Sequence, residues 1–143
     1  MLTKVPPFEV IKAASASHVG VILTRPISIS YELTVSNKLF ECINAGLPVI
    51  LSDVPEHRYL NEKYKFGIIL EEISSECLAE AAIKLKNDFK LYETLKQNAI
   101  VASKELCWEN EGMKLVSVYR DITNKEDKEN EADTIKKGHY INV

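Results

Sequence analysis

Short unbroken apolar runs alternate along this chain with longer stretches of helical period. Val19, Val21, Ile22 and Leu23 form the first run, Pro48-Val49-Ile50-Leu51 the second, and Gly67-Ile68-Ile69-Leu70 the third. Runs of this kind predict strands covered on both faces. A helix is expected over 8–16, with Pro7 near its first turn. Another is expected over 37–45, opened by Ser36 as N-cap and closed by Gly46, with Pro48 beyond. Asp53-Val54-Pro55-Glu56 reads as a capping box for a helix over 55–63. Ser74 or Ser75 opens a helix to about 87, and Asp88 a longer one carrying Tyr92, Leu95, Ala99, Ala102 and Leu106. A last helix over 109–122 puts Leu115, Tyr119 and Ile122 on one stripe. Residues 24–35, with Pro26 and alternating serines, predict a loop.

Strands that alternate with helices predict parallel βαβ units, hence an α/β fold: a Rossmann-like parallel sheet with flanking helices. After Thr123 the apolar period stops and charge takes over. Residues 1–123 are therefore expected to form one domain, and 124–143 a charged tail without structure.

Composition narrows the function classes. The net charge of -3 leaves no basic footprint for a nucleic acid, so no such partner is expected. No apolar run is long enough to span a bilayer, and the N-terminus lacks a signal-peptide core, which makes the cytoplasm the default. Cys42, Cys77 and Cys107 are odd in number and contain no CxxC pair, so neither a disulfide framework nor a metal site is expected. His57 in a first helical turn reads as a solvated side chain, and Trp108, Tyr92 and Tyr119 as packing residues.

In an open parallel sheet, ligands bind beyond the carboxyl ends of the strands, near helix N-termini. The loop over 24–35 with the helix start Ser36-Asn37-Lys38 is such a place. Helix N-termini carry unpaired N–H groups and partial positive charge. Lys38 adds a full charge there, an unfavourable position unless an anion is bound. Arg25 follows the first strand, where it can meet a diphosphate or a donor sugar. Glu41, one turn beyond Lys38, can accept two hydroxyl hydrogen bonds, as a ribose diol offers. The simpler reading is an i,i+3 ion pair between Lys38 and Glu41, worth ~0.2–0.5 kcal/mol.

The wider stretch over 36–50, SNKLFECINAGLPVI, resembles the donor-site signature of GT4-like retaining glycosyltransferases of the GT-B fold. That signature is a small residue, then N-K-L-F-E-Y, then A-G-x-P-V-I. Weaker similarities follow in order: Phe66-Gly67-Ile68-Ile69, the helix over 78–88, and Asn98-Ala99 followed by Trp108-Glu109. Together they cover 7–122.

The resemblance implies the C-terminal, donor-binding half of a GT-B enzyme, incomplete at its N-terminus. It implies that Glu41 binds the ribose hydroxyls and that Ser36, Asn37 and Lys38 approach the diphosphate or the sugar. The fuller motif, E-x7-E, places its first glutamate at Leu33. Glu32 stands one residue away and is the candidate for the transferred sugar. No catalytic residue, metal or separate cofactor is implied; the nucleotide diphosphate sugar is itself the donor substrate. The acceptor, a sugar or lipid-linked glycan, would be held by an N-terminal domain that this chain lacks, with peripheral membrane association of the whole enzyme in polysaccharide biosynthesis.

The chain starts after the family's acceptor domain and after the first donor-domain strands. It is therefore expected to be a fragment, from a truncated gene or an internal Met1. Such a fragment would have an exposed sheet edge and little or no activity alone, because transfer needs two domains to close. The rival readings are a non-catalytic relic or docking module that needs a partner chain, and a sugar-nucleotide epimerase of the same architecture.

Overall fold

The computed structural model describes the backbone of residues 5–33 and 35–138, and side chains up to 123 except that of Glu32. A 3-10 turn over Pro7–Glu9 leads into α1 (Val10–Ala14), followed by β1 (Gly20–Ile22) and a short α2 (Ile29–Glu32). Then come α3 (Asn37–Asn44), β2 (Val49–Ser52), α4 (Pro55–Tyr64) and β3 (Gly67–Leu70). The helices α5 (Ser75–Asn87), α6 (Phe89–Glu105) and α7 (Trp108–Gly138) complete the order.

The sheet runs β1-β2-β3 with both pairings parallel, so β2 is its centre. All four residues of β2 are buried. Val49 and Leu51 pack on one face with Leu39, Ile43, Leu60, Phe66, Ala99 and Ala102. Ile50 packs on the other with Leu70, Ala81, Leu85 and Leu95. Helices therefore cover both faces, as an apolar central strand requires. Two compact units are distinguished, 1–107 and 108–143.

Local sequence explains most element ends. The Ser36 hydroxyl accepts the Lys38 N–H at 3.3 Å, and Ser74 and Asp88 cap α5 and α6 in the same way. Gly46 ends α3 with φ of 71°, a left-handed conformation that costs glycine least. The capping box at Asp53 does not form. Val54 is the N-cap of α4 and makes no side-chain cap bond, because Asp53 sits one residue too early and accepts two bonds from Arg58, at 2.9 and 2.7 Å.

Residues 29–32 form a helical turn inside the stretch read as loop. The backbone of α7 is helical to Gly138, past Thr123 where the apolar period stops; lysine and glutamate are good helix formers without an apolar stripe. Trp108 and Tyr119, expected to pack, are 75% and 62% exposed. Among the described residues no helix is long and apolar enough to cross a membrane.

Leu39 is fully buried in α3. Leu39→Ala should lower unfolding free energy by about 2–5 kcal/mol, seen as a lower urea midpoint. Ile83→Ala, at an exposed site on α5, should change it by less than about 0.5 kcal/mol.

Candidate functional site

The carboxyl end of β1 opens onto a cavity of about 700 Å³. Its wall is Val21, Ile22, Leu23, Thr24, Arg25, Ile27, Tyr31, Ser36 and Lys38. It lies where the α/β layout puts ligands: past a strand end, against a helix N-terminus.

The helix α3 is held close to β1 by a missing side chain. A Cβ on Gly20 would lie 2.6 Å from Cys42 Sγ, so only glycine lets the helix seat at this distance. Leu39 and Ile43 bury the inner stripe of α3, which leaves Ser36 and Lys38 at the mouth. Burial, and secondarily the Glu41 carboxylate, push the Cys42 thiol above its ordinary value. It stays a neutral packing group and not a nucleophile.

Three of the expected site residues meet here: Arg25, Ser36 and Lys38 all line the cavity. Arg25 and Lys38 are exposed, and neither is paired with a carboxylate among the described residues. The Lys38–Glu41 ion pair does not form. Glu41 is half-buried on the next turn and Asn37 is exposed; neither belongs to the cavity wall. Glu32 closes α2, and its side chain lies outside the described residues.

Thr24 and Tyr31 complete the mouth, from a stretch with no period to reveal them. Val21, Leu23 and Ile27 add apolar surface to the same lining. The lining therefore offers both cationic and apolar surface to a ligand.

The neighbouring turn contains His57, fully buried where a solvated side chain was expected. Val54, His57 and Leu60 recur at helical spacing and all turn inward, a signal that the imidazole shares the apolar stripe. Its Nδ1 lies 3.0 Å from the Ser52 carbonyl oxygen and 3.5 Å from the Ser52 hydroxyl.

No family model matches the chain, and no curated protein matches it. Among solved structures, sucrose-phosphate synthase from Thermosynechococcus elongatus is similar, with a TM-score of 0.64 and 23% sequence identity. The fold is that of a GT-B half. The likeness covers 79% of this chain and 27% of that one, so the GT-B half here corresponds to about a quarter of the synthase.

Burial lowers the His57 pKa from its ordinary 6.5, only partly opposed by the bond to Ser52. Above about pH 6.5 the ring is neutral in both the folded and unfolded chain. Below it, the unfolded chain takes up a proton that the folded chain resists, so stability falls as pH falls. The melting temperature should therefore drop between about pH 6.5 and pH 5, and His57→Asn should make that drop shallower.

Proposed function

We propose that this chain is the donor-binding part of a retaining glycosyltransferase, which transfers a sugar from a nucleotide diphosphate sugar to an acceptor. The observation that carries the proposal is the mouth of β1. Arg25 and Lys38, two cations without a carboxylate partner among the described residues, both line one cavity there beside the Ser36-capped start of α3. A diphosphate supplies the counter-charge that this arrangement lacks, and the helix start adds N–H donors. The GT-B half supports glycosyl transfer as the general chemistry. In this reading Arg25 and Lys38 hold the phosphates and Ser36 and Asn37 offer the helix start. Glu41 takes the ribose diol and Glu32 the transferred sugar. The roles of Glu41, Asn37 and Glu32 rest on the sequence resemblance. The acceptor would be a sugar or lipid-linked glycan, bound by a domain outside this chain.

A non-catalytic docking module is the second reading, favoured by one observation. Among the described strands β1 pairs only with β2, and Val21 on it is 47% exposed. An open strand edge of this kind accepts another strand.

Calorimetric titration with UDP, GDP and their sugars separates the two. Arg25→Ala and Lys38→Ala should each weaken nucleotide binding by about tenfold, the loss of one charge-assisted hydrogen bond. Glu41→Ala should cost ~1.5–3 kcal/mol with nucleotides and leave pyrophosphate binding unchanged. Absence of binding at millimolar nucleotide would reject the donor site and leave the docking module. The purified chain alone should transfer no sugar, since closure of a second domain is what excludes water.

A further inference from the structure

The ladder between β1 and β2 stops one rung early. The Gly20 N–H donates to the Pro48 carbonyl at 2.9 Å, and the same offset would send the Thr24 N–H to the Ser52 carbonyl. It goes instead to the Ser52 hydroxyl, at 2.9 Å. The Ser52 carbonyl is taken by the Val54 N–H at 3.1 Å and by His57 Nδ1 at 3.0 Å. On its other side Ser52 remains in register with Leu70 of β3. Only the β1 side of β2 is prised open.

The imidazole is specialised for this role. A carbonyl oxygen accepts and cannot donate, so Nδ1 carries the ring hydrogen and Nε2 is a bare lone pair. Nε2 is buried without a hydrogen-bond partner. Ser52 and His57 are 1% and 0% exposed. A buried acceptor left without a donor is unfavourable; at the ring's other nitrogen the gain is a fixed strand end.

We infer that Ser52 and His57 are positioning residues: they replace the last β1–β2 rung with side-chain bonds, part the strand ends, and fix the Thr24 backbone so that Arg25 stands at the cavity wall. Thr24 and Arg25 both line that cavity, while Ser52 and His57 do not touch it. The benefit to ligand binding rests on the proposed donor site; the parting of the strands stands on its own.

Two measurements on the full chain test this. Native-state amide exchange reads the rung, and titration with inorganic pyrophosphate reads the cavity. Ser52→Ala should free the Thr24 amide to exchange while the Gly20 and Ile22 amides stay protected, which also reports that the sheet is intact. Pyrophosphate affinity should fall by about tenfold, as expected for a mispositioned charged donor. His57→Leu should act in the same direction. His57→Asn, which keeps an N–H near the Ser52 carbonyl, should preserve both readouts. A Thr24 amide that stays protected in Ser52→Ala, or pyrophosphate binding equal to wild type, overturns the inference. If the wild-type chain binds no pyrophosphate, the donor-site reading fails, and the exchange pattern alone decides whether Ser52 and His57 part the strands.

Discussion

The structure of the first unit is organised around β2, which has a strand on each side and helices on each face. Alternate residues of this strand feed opposite cores, Val49 and Leu51 one and Ile50 the other. A slip of one residue would exchange the two sets, so the register is strongly specified. With β2 fixed, its neighbours, the height of their carboxyl ends and the starts of α3 and α4 are fixed too. The candidate site inherits its geometry from that one strand.

Electrostatics at the mouth run against the usual arrangement. Lysine near a helix N-terminus opposes the helix dipole, yet Lys38 is there and Arg25 lines the same cavity. Among the described residues four cations are ion-paired, Arg58 with Asp53, Lys63 with Glu105, Lys96 with Glu93 and Lys114 with Glu111. What sets Arg25 and Lys38 apart is that both line one cavity.

The two outer strands differ. The β3 edge is bounded by the charged residues Lys65, Glu71 and Glu72, a common guard against unwanted pairing. The β1 edge has exposed Val21 and Leu23, with Ile27, Ile29, Tyr31 and Leu33 exposed just beyond. Edge and cavity are contiguous, since Val21 and Leu23 belong to both. Anything that pairs with β1 would also border this cavity.

Much of the fold was legible in the residue pattern, for identifiable reasons. Three apolar runs mark the strands, but only β2 is buried along its whole length; Val21 of β1 is exposed and most of β3 is half-buried. Ser36, Ser74 and Asp88 mark helix starts because a side-chain oxygen satisfies a free N–H, and Gly46 marks an end because its φ is positive. Local chemistry misled where tertiary contacts competed for the same group. Asp53 bonds to Arg58, five residues on in α4, instead of capping that helix, and His57, polar by type, is buried by its place on the α4 stripe. Trp108 shows the reverse, an aromatic side chain left exposed.

The sequence by itself determined the order of the three strands and their flanking helices, though not α2 or the extent of α7, and placed Arg25, Ser36 and Lys38 near strand and helix ends, because these features depend on neighbours along the chain. Only the tertiary structure decided that these three share one cavity while Glu41 and Asn37 stand outside its wall. It also decided that Ser52 and His57 end the ladder. Those outcomes depend on how closely α3 seats on β1 and on which group reaches a carbonyl first. Such distances are set by packing between segments far apart in sequence, and no local pattern encodes them.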